Sequence, residues 1–297
     1  MRRYGYWLPF ALAACSDQGV APDAAPDAAS DATVGTPSPL VEALAGKRVL
    51  WIGAHPDDES TVAPLLGEVC RDRGATCTFL LATRGENGDC NAPVVCGADL
   101  GTFRAGEMAT AAALYGGSVV QLGLPDSSAL RADEVAANWA ALRGGPEALV
   151  EQFRAAIVAA APEFIITFDP RHGTTCHPDH RAAAAYAVSA VLKLGASAPT
   201  TWLAEVTFAI QPNESAIGYL QTVASDTKVL TYDATRLLRT TGMTAWDVLL
   251  ANLRAHKSQF VDARIAGFAA APAEQRRVFI LPLADVADPD PRYVLCD

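Results

Sequence analysis

The stretch Arg48-Val-Leu-Trp-Ile-Gly-Ala-His-Pro-Asp-Asp-Glu59 decides how this chain is read. Its first six residues are an apolar run behind Arg48, rich in β-formers and bounded by glycine, the pattern of a short buried strand. In an open α/β sheet, ligands bind just past the carboxyl ends of the strands. Here that position carries His55, Asp57 and Asp58, an imidazole and two carboxylates that make a candidate metal site. Pro56 fixes its own φ and biases His55 toward an extended backbone, which pre-sets the direction of a ligand.

Outward from this stretch, strand and helix signals alternate. Residues 62–72 predict a helix, 75–83 a second strand, 100–115 an alanine-rich helix and 118–122 a third strand. Residues 146–160 predict a helix with Pro146 in its first turn, 164–168 a fourth strand and 178–194 another helix. Such alternation implies βαβ units, and right-handed crossovers bring the carboxyl ends of the strands to one face of a mostly parallel sheet. Further on, 202–208 and 228–232 read as strands, and 277–281 as a last strand. Residues 244–256 form an amphipathic helix signal opened by Thr244 and Asp247 at capping-box spacing.

The beginning of the chain is different. Arg2-Arg3, an apolar run to Ala14 and then Cys15 have the form of a bacterial lipoprotein signal, too short to span a bilayer as a helix. The expectation is a signal peptide over 1–15 with a lipid on Cys15. Residues 16–39 recur in Ala, Pro and Asp with few larger apolar side chains, which predicts a disordered, proline-stiffened linker. Residues 40–297 then make a single domain. The expected localisation is the bacterial cell envelope, lipid-anchored at the outer membrane or its periplasmic face, with the membrane as a partner.

Hydrophobic residues make up 51% of the 297 and charged residues 19%, enough for a sizeable core. The net charge is -10 and no basic run occurs, which excludes a nucleic-acid partner; no protein partner is implied. Besides Cys15 there are Cys70, Cys77, Cys90, Cys96, Cys176 and Cys296. In an exported chain an even set can form disulfides, with many pairings open. Cys90 and Cys96 bracket a short loop and are the leading pair. Cys70 with Cys77, and Cys176 with Cys296, follow by proximity and elimination, unless these remain buried thiols.

A second cluster, His177-Pro-Asp-His180, follows the fourth strand through a loop that starts at Asp169. Pro178 suits a first helical position, and His177 and His180, three apart, share a face of the opening turn. The chain has five histidines, and three fall in these two segments, so both clusters point to one centre.

In order, Ala54-His-Pro-Asp-Asp-Glu59, Thr83-Arg-Gly-Glu86, Leu122-Gly-Leu-Pro-Asp126, His177-Pro-Asp-His180 and His256-Lys-Ser-Gln259 resemble the motifs of the PIG-L/LmbE-type zinc N-deacetylases. The resemblance implies a Rossmann-like α/β fold, a mostly parallel sheet flanked by helices. It also implies one Zn2+ and hydrolysis of an N-acetyl group from an N-acetylglucosamine-containing substrate. On the family pattern His55, Asp58 and His180 hold the zinc and leave a position for water and substrate. Asp57 is the general base. His177 stabilises the oxyanion as a protonated imidazolium, with Asp179 orienting or tuning it. Arg104 and Asp126 match positions that hold the polar part of the substrate, or else form a buried ion pair or turn. Glu86 binds a sugar hydroxyl or caps a helix. Glu59 reads as an acid at a helix N-terminus, His256 as a packed histidine and His172 as a loop residue.

Two features depart from the pattern, Cys176 directly before His177 and the inserted loop from Cys90 to Cys96; both bear on the substrate. No Lys or Arg cluster supports a phosphoinositide. The alternative function is a non-catalytic sugar- or cell-wall-binding lipoprotein on the same fold. A nucleotide-binding Rossmann domain is a second competitor, against which stands the missing phosphate cradle, since no Gly-x-Gly-x-x-Gly follows the first strand.

Overall fold

The computed structural model describes residues 38–127, 131–205, 223–286 and 296. The expected signal segment with Cys15, and the expected linker up to residue 37, lie outside them. The chain divides into residues 1–33 and residues 34–297, and the second unit carries the fold described below.

Seven strands form one sheet: β1 (Arg48–Gly53), β2 (Thr76–Leu81), β3 (Ser118–Gln121), β4 (Phe164–Phe168), β5 (Thr200–Ala204), β6 (Leu230–Asp233) and β7 (Arg277–Pro282). Their order is β3-β2-β1-β4-β5-β7-β6. The first five run parallel, while β7 pairs antiparallel with both β5 and β6. Chain order reverses between β1 and β4, and at such a switch point the connections leave in opposite directions and open a crevice at the strands' carboxyl ends.

Alternation along β1 loads both faces of the sheet. Val49 and Trp51 enter one apolar cluster with Trp246, Leu249 and Leu253 of α7 (Ala245–Ala255). Leu50 and Ile52 enter the other, with Trp139 of α4 (Ala132–Leu142), Phe153 of α5 (Pro146–Ala160) and Ala183 of α6 (Pro178–Lys193). The remaining named helices are α1 (Pro39–Leu44), α2 (Ala63–Leu66), α3 (Leu100–Leu114) and α8 (Asp262–Ala269). The expected mostly parallel sheet between helices is the fold observed.

Details differ. The helix expected over 62–72 is a short 3-10 turn (Asp58–Thr61), then α2, then a wider π-type turn (Gly67–Asp72). Gly67 is packed so closely on α7 that a Cβ there would stand 2.8 Å from Val248. Helices α4 and α8 were not expected, because each shows only a few large apolar side chains among alanines. The strand expected over 202–208 is β5, which begins earlier; residues 206–208 lie outside the described residues. Cysteine pairs Cys90–Cys96, Cys70–Cys77 and Cys176–Cys296 are bonded as expected.

Glu68 ties the turn after β1 to the far edge of the sheet. Its buried carboxylate accepts from the Tyr232 hydroxyl at 2.8 Å, Arg236 Nε at 3.0 Å and Arg73 Nη2 at 3.1 Å. Burial alone would raise its pKa, but Arg236, Tyr232 and Arg73 outweigh burial and hold it below the usual glutamate value. A depressed carboxylate contributes stability above its unfolded pKa of about 4.3, and that contribution fades as pH falls through the lower folded value. Glu68→Gln should therefore cost about 3 kcal/mol at pH 7, since it removes the buried charge on which two guanidinium groups and the Tyr232 hydroxyl converge. Urea melts of parent and variant should converge as pH drops below about 4.

Candidate metal centre

Past β1 the chain makes the tight turn of His55-Pro-Asp-Asp. The Ala54 and His55 N–H groups donate to Asp58 Oδ2 at 2.6 and 2.8 Å. That fixes the other oxygen, Oδ1, 3.0 Å from His180 Nε2 and 3.7 Å from His55 Nδ1. Burial would raise the pKa of Asp58, but His180 and His55 hold it well below the usual carboxylate range. Gly53 permits the turn, because a Cβ there would come within 3.0 Å of the Asp58 side chain.

Both histidines are held from behind. His180, in the first turn of α6, donates from Nδ1 to the Gly173 carbonyl at 2.9 Å, which leaves the Nε2 lone pair facing Asp58. His55 faces Asp179 Oδ2 at 3.2 Å and Asp126 Oδ1 at 3.5 Å through Nε2, which leaves Nδ1 turned toward Asp58. Burial would lower the His55 pKa, but Asp126, Asp179 and Asp58 around the ring outweigh it and favour the cationic form. Surplus negative charge thus surrounds this point, and among the described residues Asp126 Oδ1 and Asp179 Oδ1 are buried without a hydrogen bond. The third ring, His177, packs edge-on against His55 with centroids 4.8 Å apart and on His180 at 4.7 Å. Ligand atoms of His55, His177 and His180 all lie within 4.8 Å of one another, so the centre can hold a metal ion.

Asp57 stands beside the ligand atoms with a left-handed backbone, φ 103°. Two partners hold it. Its N–H donates to Glu59 Oε2 at 3.2 Å, and Arg104 Nη2 donates to its Oδ1 at 3.2 Å. Arg104 also donates to the Pro56 carbonyl at 2.6 Å and the Gly85 carbonyl at 2.9 Å. Gly85 has φ 64°, and a Cβ there would collide with the guanidinium. Burial, with the Asp58 charge adding to it, raises the Asp57 pKa above the usual carboxylate value against the pull of Arg104.

Several expectations change. Asp179 does not orient His177 through its side chain; its carboxylate accepts the Ser127 N–H at 2.9 Å and faces His55, and only its backbone N–H meets His177 Nδ1, at 3.3 Å. Glu86 is not among the residues lining the cavity; it accepts the Asp126 N–H at 3.1 Å and fixes that loop. Arg104 lines the cavity with its head group already committed to Asp57 and two carbonyls, so it aims Asp57. Glu59 is no exposed helix-end acid but a fully buried one that accepts from His256 Nε2 at 2.6 Å and Asn252 Nδ2 at 2.7 Å. Asn252 escaped notice in the sequence; its one signal is its spacing of four from His256 on α7.

Burial, and the charges on His180 and His55, push His177 down to about 3, so it is neutral rather than an imidazolium. The centre opens into a cavity of about 250 Å³. One wall is polar, with Asp57, Asp126, Thr174 and His177; the other is apolar, with Leu249, Leu253, Phe260 and Phe268.

Residues 50–191 match the family model described as PIG-L: GlcNAc-PI de-N-acetylase. Among curated proteins, the chain is similar to the 1D-myo-inositol 2-acetamido-2-deoxy-alpha-D-glucopyranoside deacetylase of Saccharomonospora viridis, 34% identical over 48% of this chain and 57% of that one. It is likewise similar to the deacetylase of the same name from Gordonia bronchialis, 34% identical over 51% and 59%. The chain thus spans a little over half the length of these relatives. Among solved structures, a conserved protein of Thermus thermophilus aligns with TM-score 0.53 and 19% identity over 81% of this chain and 96% of its own. The 4-carboxy-2-hydroxymuconate hydratase of Pseudomonas putida aligns with TM-score 0.54 and 15% identity over 80% and 96%. At these identities the likeness carries the fold alone, and a fold that also serves a hydratase leaves function to the site. The curated relatives are named for an inositol glycoside of acetylated glucosamine and not for an envelope glycan, which overturns the expected lipid-anchored placement in the cell envelope. No helix among the described residues is long and apolar enough to cross a membrane. Residues 50–191, which hold the motifs from Ala54 to His180, are thus similar to the PIG-L family over just under half of the chain.

Proposed function

We propose that this protein is a zinc-dependent N-deacetylase that removes acetyl from an N-acetylglucosamine-containing substrate, with residues 40–297 as its catalytic domain. The carrying observation is the set His55 Nδ1, His180 Nε2 and Asp58 Oδ1, each fixed from behind, with Asp57 alongside and outside the set. Two imidazoles and a carboxylate are donors of the type zinc takes, and Asp58 Oδ1 stands 3.0 Å from His180 Nε2 and 3.7 Å from His55 Nδ1. Held there, zinc supplies a water acidified toward neutrality and a Lewis acid for the amide carbonyl.

The protein's own groups do the rest. Arg104 occupies Asp57 Oδ1, so Oδ2 takes the proton of the attacking water and returns it to the leaving amine. Its raised pKa makes Asp57 a stronger base than an ordinary aspartate. Because His177 Nδ1 accepts the Asp179 N–H, its proton sits on Nε2, a neutral donor for the oxyanion. Asp126, which lines the cavity beside His55, accepts from a sugar hydroxyl. The names of the relatives support an amino-sugar substrate.

Elemental analysis should find one zinc per chain, lost in Asp58→Ala and His180→Ala. Acetate release from N-acetylglucosamine and its inositol glycoside should fall about 10²–10⁴-fold in Asp57→Asn with zinc retained. Turnover by that variant at the parental rate would sink the reading. In an NMR titration, the His177 ring nitrogens should keep their neutral shifts from pH 8 to pH 5, against an ordinary histidine midpoint of about 6.5; protonation in that window would return the imidazolium role.

A further inference from the structure

Behind the loop that carries His177 and His180 sit three fully buried side chains that the chemistry above does not use: Asp169, His172 and Glu205. Asp169 follows β4 and Glu205 follows β5. Their ligand-type atoms lie within 4.8 Å of one another, but a cation is already in place. Arg171 Nε donates to both Asp169 oxygens at 2.8 Å, and its head group reaches Glu205 Oε1 at 3.8 Å. A metal would have to displace that guanidinium, so the cluster is an ion-paired support and not a second centre.

What it supports is the turn at 172–174. His172 Nδ1 accepts the Thr174 N–H at 2.9 Å, so the ring proton is on Nε2 and is donated to Glu205 Oε2 at 3.0 Å. The Cys176 N–H returns to the His172 carbonyl at 2.7 Å. Along this loop Gly173, Thr174 and Cys176 are left-handed, with φ of 54°, 60° and 61°. For the two non-glycine residues that conformation costs on the order of 1 kcal/mol each and persists only where the surroundings impose it. The turn delivers the Gly173 carbonyl to His180 Nδ1 at 2.9 Å. Turn and ring are in direct contact, since a Cβ on Gly173 would stand 2.7 Å from the His180 Cβ.

We infer that His172 and Glu205 are positioning residues for His180: the buried dyad sets the 172–174 turn so that the Gly173 carbonyl fixes the His180 ring with Nε2 facing Asp58. The inference rests on the reading of His180 as a metal ligand. Partners that orient a ligating histidine typically change metal affinity by about 10–100-fold when removed. The Cys176–Cys296 disulfide holds the same loop covalently, so loss of the His172 ring nitrogens leaves the loop attached.

The test is zinc affinity of the full chain, by competition with a chromophoric chelator, with a thermal melt for each variant. His172→Phe keeps the bulk and removes both nitrogens; it should bind zinc about 10–100-fold more weakly. His172→Asn offers an oxygen at the Nδ1 position and should recover part of that loss. A space-filling role predicts the reverse order. A folded His172→Phe with parental affinity overturns the inference. If that variant does not fold, His172→Asn is compared with His172→Gln, which reaches toward Glu205 without an acceptor at the Nδ1 position. Asn should then bind more tightly than Gln, and equal or reversed affinities overturn the inference. His180→Ala separates the two levels. If it keeps its zinc, the metal reading itself falls. If it loses zinc while the His172 variants bind as the parent does, only the positioning role falls.

Discussion

The parallel pairing of β1 with β4 is the constraint on which the centre depends. Ile52 stands opposite Thr167, whose hydroxyl also donates to the Ile52 carbonyl at 2.9 Å. The pairing brings His-Pro-Asp-Asp and His-Pro-Asp-His, over 120 residues apart, to the same end of the sheet, where His55 and Asp179 meet across a separation of 124. A one-residue slip of β4 would turn each of its side chains to the opposite face and carry the following loop with it. Ile165 and Ile166 of β4 enter separate apolar clusters on the two faces, so that slip would mispack both.

On this frame the centre assembles an unusual density of buried charge. Burying a carboxylate is costly unless it is paired and hydrogen-bonded. Four of them are held by specific partners: Asp57 by Arg104, Asp58 by two backbone N–H groups and His180, Glu59 by His256, Asp169 by Arg171. Such pairs add little net stability, because the Coulomb gain mainly offsets desolvation. What they supply is direction. Each partner occupies one atom of a functional side chain and thereby decides which other atom faces the cavity.

The sequence made the strand, the two metal-type segments and their association legible, because each is a local pattern of a few residues. It did not reveal where the three acids of Asp57-Asp58-Glu59 point. Asp58 and Glu59 open a 3-10 turn, which rotates successive side chains by about 120°, and Asp57 precedes it with a left-handed backbone. Asp58 therefore meets the histidines, Asp57 the cavity and Glu59 the core, although the residue type alone treats them alike. Asp179 was assigned to the nearest histidine in the chain, whereas its carboxylate finds His55 from another strand end. Glu205 gave no signal, since it sits at the end of an apolar strand and gains its meaning only from His172 across the sheet.

Helix α7 joins the two requirements of the centre. Its cap is a local device, with Thr244 and Asp247 exchanging hydrogen bonds as the spacing predicts. From that start, one side of the helix presents Leu249 and Leu253 to the cavity as a dry wall. The neighbouring side presents Asn252 and His256 to Glu59, whose other oxygen receives the Asp57 N–H. Excluding water lowers the local dielectric and strengthens every charge interaction at the centre, including those that aim Asp57. The apolar wall and the polar lock are thus not separable contributions. Because they lie on one rigid element, packing α7 against the sheet dries the site and orients Asp57 in a single step.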